Sequence, residues 1–205
     1  MKKVLLTILA LGLVLAPSLS CKPSPIIDGV VSPGEWNKAV AIPLAHSWIM
    51  VRNDVVNLYV LIDVVSDTYE DTSINGSAWP DYFLLSFDVN IDAEITPNVD
   101  MNYVGWRANL RLDRQYYLGP NWTGILQGDT AGRLAGGFGP SLNSNTPHLL
   151  WELVIPLSEI SANRGGKVRI GLRTYSQTPS FIDDYPTGFS SNFSNLMEIM
   201  LTQGS

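Results

Sequence analysis

The sequence predicts an all-β protein: two antiparallel sheets packed as a jelly-roll or immunoglobulin-like sandwich, behind a cleaved export signal. Three observations predict it. The apolar runs are strand-sized and separated by turn residues, and the chain holds 17 Gly and 13 Pro. Six Trp, eight Tyr and six Phe favour pleated surfaces over helical bundles. Only Ser32-Pro-Gly-Glu35 has the Ser/Glu spacing of a helix start, enough for one turn.

Residues 1–20 read as an address. Met1, Lys2 and Lys3 give a basic start, residues 4–16 are apolar, and Ser18 and Ser20 give the small-x-small ending of a secretory signal. The apolar run is shorter than the roughly 20 residues of a membrane span. Cys21 stands where the mature chain would begin, which resembles a bacterial lipoprotein signal. A lipid on Cys21 would anchor the protein to a membrane; without it the protein would be secreted. Residues 21–25 form a short lead, and residues 26–205 form a single domain.

Strands are predicted over 40–44, 48–51, 58–64, 82–87, 103–112, 115–118, 149–155, 168–175 and 196–201. Residues 58–64 are apolar on both faces except Asp63, as in an interior strand. Leu149, Trp151, Leu153 and Ile155 share one face, with Glu152 on the other, and Pro156 ends the pairing. Residues 124–147 are rich in Gly and Asn and yield no clear element. Asp183-Asp184 reads as a turn before Tyr185-Pro186. Eight to eleven strands at this spacing mean two packed sheets.

Composition excludes several functions. One Cys cannot close an internal disulfide or build a Cys-rich metal site. A net charge of −6, and about −8 without Lys2 and Lys3, disfavours nucleic acid. No Gly-x-Ser-x-Gly, His-Glu-x-x-His or phosphate-binding loop occurs, so the sequence does not predict an enzyme.

Ile27-Asp28-Gly29-Val30, then Glu35-Trp36 and Ala39, then Asp54 with Leu58-Tyr59-Val60, resemble the opening of the family 9 carbohydrate-binding modules and their relatives. Asp81 with Phe87-Asp88-Val89-Asn90, and Trp151-Glu152-Leu153-Val154-Ile155-Pro156-Leu157, resemble later blocks in the same order. The resemblance implies a β-sandwich that grips sugar with paired aromatic rings and often holds structural calcium. The superfamily also includes DOMON-like and ethylbenzene dehydrogenase-type haem-binding domains. The late Trp that completes the aromatic clamp is missing: residues 176–195 offer only Phe181, Tyr185, Phe189 and Phe193.

For sugar, Trp79, Trp106 and Trp122 are the candidate stacking rings, with Tyr185 as a late aromatic. Arg107, Arg111, Asp113 and Asn121 are candidate hydrogen-bond partners. Trp36 is expected to pack as a lid over the core and Trp151 to lie within it. For calcium, Asp88, Asn90 and Asp92 place alternate oxygen side chains after a strand, outside any EF-hand pattern. Haem is disfavoured: there is no Cys-x-x-Cys-His, and axial ligands would have to come from His46, His148 or scattered Met.

The leading function read from the sequence is an exported, non-catalytic carbohydrate-binding domain, with calcium stiffening one loop. The alternative is a cell-surface structural or interaction sandwich with a protein partner and no sugar. The third is a b-type haem electron-transfer subunit.

Overall fold

A computed structural model describes residues 23–70, 81–118, 130–160, 166–188 and 193–201, and the backbone of 126–128. The signal segment, Cys21, Trp79 and Trp122 lie outside the described residues. Among the described residues twelve strands follow one another: β1 Val40–Pro43, β2 Trp48–Asn53, β3 Asn57–Val64, β4 Tyr82–Asp88, β5 Met101–Trp106 and β6 Arg111–Tyr116. They continue with β7 Leu126–Gly128, β8 Arg133–Gly139, β9 His148–Pro156, β10 Lys167–Gln177, β11 Ser180–Tyr185 and β12 Met197–Met200. The first sheet runs β1-β2-β3-β9-β8; the second runs β11-β10-β4-β5-β6-β7, with β12 also paired to β10. Every pairing is antiparallel. No described helix is long and apolar enough to cross a membrane.

Strand alternation builds the core. Val60 and Ile62 of β3 and Leu149, Trp151 and Leu153 of β9 meet Phe83, Leu85 and Phe87 of β4 and Ile170 and Leu172 of β10. Phe83 meets Trp151 edge-on at 5.3 Å across the two sheets. The outer face of the first sheet is covered as well. There the segment before β1 lays Trp36 on Met50, Tyr59, Leu61, Leu150 and Val154. This double burial makes β3 and β9 read as continuous apolar runs. Trp36 and Trp151 are each 1% exposed, in the lid and core positions expected of them.

Glu152 locks that cover in place. Its buried carboxylate accepts the Asp28 and Gly29 N–H groups at 3.1 and 2.8 Å and the Trp36 indole N–H at 3.1 Å. Gly29 has φ 84°, and its backbone rests on Gly136 and Gly137 of β8. A Cβ on Gly137 would stand 1.8 Å from the Gly29 carbonyl oxygen. β8 is therefore glycine-rich because another backbone lies on it, and this hid it within 124–147.

Three expectations are corrected. The run 103–112 is two strands, β5 and β6, joined by a turn at 107–110 in which Leu110 adopts φ 47°. Asp183-Asp184 lies within strand β11. Ser32–Glu35 forms turns, although Glu35 does accept the Ser32 N–H at 2.9 Å as a capping box requires.

Candidate functional site: the outer face of the second sheet

The outward positions of the second sheet line up by register. Ile182 of β11 lies opposite Tyr175 of β10, Tyr175 opposite Tyr82 of β4, Tyr82 opposite Trp106 of β5, and Trp106 opposite Arg111 of β6. One straight row thus crosses five strands, about 19 Å at the usual strand spacing. Its three central rings are in contact: Tyr82–Tyr175 at 5.3 Å and Tyr82–Trp106 at 5.4 Å between centroids. All three rings are half-buried, and Ile182 is 55% exposed.

The next outward row carries charge at both ends. Arg173 and Asp184 are paired in register, and the guanidinium grips the carboxylate with two bonds of 2.7 Å. Across the sheet, Arg111 bonds Asp113 at 2.6 Å. Between them Leu84 and Val104 form an apolar floor, roofed further along by Tyr117, Phe193 and Leu196. The open part of the face is an aromatic strip flanked by two Arg–Asp pairs. Such a surface can stack on the C–H faces of sugar rings while fixed polar groups meet hydroxyls.

The structure distributes the residues singled out in sequence. Trp106 lies in the row, beside Arg111 and Asp113. Arg107 is half-buried in the turn after β5; its backbone N–H donates to the Asp81 carbonyl at 2.9 Å, and its side chain reaches toward Gly136. Tyr185 faces inward opposite Leu172 and lines a cleft of about 540 Å³ between β11 and the β1–β2 connection. Trp106, Arg107 and Tyr185 therefore do not form one surface. Tyr82, Tyr175 and Arg173 were missed. Their signal was the outward phase of strands whose inward phase, Phe83/Leu85 and Leu172, was plain.

Asp88, Asn90 and Asp92 do not converge on one point. Asp88 is buried, paired with Arg169 at 2.5 Å, and accepts the Asp92 and Ala93 N–H groups. Asp92 takes the Asn90 amide at 2.7 Å, the Thr96 hydroxyl and the Glu94 N–H. Asp100 accepts the Val89 and Thr96 N–H groups at 2.8 and 2.6 Å. This turn already has a partner for each carboxylate, and a cation would have to displace Arg169 from Asp88. Among the described residues, no three His, Cys, Asp or Glu side chains are grouped to hold a metal.

The two histidines are committed elsewhere. His46 stacks on Phe181 at 4.5 Å. Buried His148 directs one ring nitrogen to the Thr146 carbonyl at 2.6 Å and the other to Asp63, which also accepts from Ser141 and Asn143. Burial disfavours the His148 charge, but the Asp63 hydrogen bond, Thr146 and the charges of Asp63 and Asp67 outweigh it, so its pKa is raised. Asp100 is pushed up to about 6, mainly by burial and further by Asp88 and Asp92.

Both shifts stabilise the fold on the acid side of neutrality. A raised His contributes fully below its unfolded value near 6.5 and is lost as pH rises through the folded value. A raised Asp gains stability as pH falls through about 6 toward 3.8. Urea midpoints are expected to be higher at pH 5.5 than at pH 8; the reverse order would contradict the two assignments.

The architecture is that of the family 9 carbohydrate-binding modules. The chain is similar to a family 9 module from Caldicellulosiruptor kristjanssonii solved in complex with cellotriose: 20% identity over 89% of this chain and 92% of that one, TM-score 0.59. It is equally similar to a family 9 module of that organism in complex with glucose: 21% identity, 89% and 94% covered, TM-score 0.59. At this identity the likeness establishes the shared fold. No protein-family model and no curated protein matches the chain.

Proposed function

We propose that this chain is an exported, non-catalytic carbohydrate-binding domain that takes a gluco-oligosaccharide on the row Tyr175–Tyr82–Trp106. The carrying observation is that row: three touching rings in register on an open sheet face, flanked in the next row by the Arg173–Asp184 pair and by Asp113, which Arg111 grips. The ligands of the similar structures, cellotriose and glucose, support the choice of sugar class. The basic, apolar, small-x-small start supports export, with Cys21 as the point of lipid attachment to a membrane.

The three rings lie on three neighbouring strands, and Ile182 and Arg111 extend the row to five, so a single sugar cannot cover it and a chain can. Isothermal titration is expected to show affinity rising at least tenfold from glucose to cellohexaose. Equal affinity for the two would mean a single-sugar pocket. Silence with all cello-oligosaccharides and with insoluble glucans would end the reading, and would favour a sandwich that meets other proteins.

A further inference from the structure

The charges beside the aromatic row come in closed pairs. The row next to the rings reads Asp184–Arg173–Leu84–Val104–Asp113 from β11 to β6, so a carboxylate stands at each end of it. The Arg173 guanidinium grips both Asp184 oxygens through Nε and Nη2, each at 2.7 Å. Arg111, at the end of the ring row, brings Nε and Nη2 to one Asp113 oxygen at 2.9 and 2.6 Å. Solvent reaches both pairs: Arg173 and Asp184 side chains are 29% and 20% exposed, Arg111 and Asp113 55% and 12%. The other cations of β6 and β10 are paired as well, Arg114 with Glu159, Arg169 with Asp88 and Lys167 with Glu198.

A guanidinium beside an aromatic ring is suited to read a sugar carboxylate, because its fork of N–H donors matches two oxygens. Here the protein's own carboxylates already occupy both forks. A uronate arriving on the rings would have to displace Asp184 or Asp113, and would leave that carboxylate unpaired beside a second one. A neutral hydroxyl meets no such conflict. It can donate to a carboxylate oxygen and accept from a guanidinium N–H while the pair stays together. The chain's net charge of −6 adds repulsion of the same sign against an anionic glycan.

We infer that Asp184 and Asp113 set the specificity of this face: by closing Arg173 and Arg111 they admit neutral glycans and turn away glycans whose sugars carry carboxylates. This role rests on the sugar reading above and names the residues that choose among sugars. The selection acts through repulsion and an occupied fork, so it is separate from the stacking that supplies affinity.

The test compares two hexamers of one backbone by calorimetry on the full chain: cellohexaose, and the β-1,4-linked glucuronic acid hexamer, which differs by a carboxylate at each C6. Wild type is expected to prefer cellohexaose by about tenfold or more. In Asp184→Asn that preference is expected to shrink by about tenfold or more, because Arg173 keeps its place and loses its counter-charge. Asp113→Asn, which does the same to Arg111, is expected to act in the same direction and serves if the first variant does not fold. Adding Arg173→Gln to Asp184→Asn is expected to remove the gain in glucuronate affinity. Glu94→Gln, an exposed carboxylate in the turn after β4, is expected to behave as wild type. Wild-type silence with both hexamers would end the sugar reading and this role with it. Equal wild-type affinity for the two hexamers would overturn the role of the aspartates and leave the sugar reading standing. So would a preference unchanged in both aspartate variants, or one that falls as far in Glu94→Gln.

Discussion

Trp106→Ala is expected to weaken cellohexaose binding between tenfold and a hundredfold, about 1.4–3 kcal/mol, with little change in folding. The indole sits at the centre of the open half of the row, between Tyr82 and Arg111 in register. It is half-buried and packs on the Leu84–Val104 floor from outside the main core, so its removal opens no deep cavity. Tyr82→Ala is expected to act in the same direction, since its ring contacts both neighbours. Calorimetry on the folded variants checks this. Wild-type affinity in Trp106→Ala would place the ligand elsewhere, and a collapse of the fold would mean that the indole is structural.

Glu152→Ala is expected to cost about 3–5 kcal/mol of stability and to lower Tm by about 10 °C or more. Three N–H donors converge on this carboxylate: two from the Asp28-Gly29 turn and one from the Trp36 indole. Burial raises the Glu152 pKa against the pull of those donors, so the group is desolvated at some expense. Removing it leaves the donors unsatisfied or floods the cover with water. Hydrogen exchange should then accelerate across residues 26–39 while β4 and β10 stay protected. A loss below about 1 kcal/mol would show that the cover is held by Trp36 packing alone.

The sequence revealed strands wherever local pattern and tertiary environment agreed. β9 was legible because both of its faces are apolar apart from His148 and Glu152, and Pro156 marks its end. β3 was legible for the same reason. β11 was not, since adjacent Asp183 and Asp184 look like a turn. Their partners lie outside the turn-like pair: Asp183 accepts the distant His46 N–H and Ser47 hydroxyl, and Asp184 binds Arg173 on the neighbouring strand. The β5–β6 turn lacked Gly or Pro at its centre and so merged two strands into one. β8 vanished because its glycines answer to a backbone more than a hundred residues away.

The site was legible only in part. Trp106 stands out in sequence as a large aromatic beside an arginine, but nothing local marks Tyr82 or Tyr175 as its neighbours. The row depends on register between strands distant in sequence: Tyr175 meets Tyr82, and Tyr82 meets Trp106. Register follows from the whole sheet, so no local motif encodes it. The acidic pattern at 88–92 is ambiguous in sequence for a different reason. Alternate Asp and Asn look alike whether they bind an ion or cap a turn, and only the position of Arg169 decides the fate of Asp88.

The most direct test of the aromatic row is an NMR titration of the protein with cellohexaose, following the ring and guanidinium signals. Shifts are expected to concentrate on Tyr82, Trp106 and Tyr175, with smaller changes at Arg111 and Arg173, while Trp36 and Trp151 stay still. Shifts centred instead on the cleft beside Tyr185, or on the covered face around Trp36, would contradict the account.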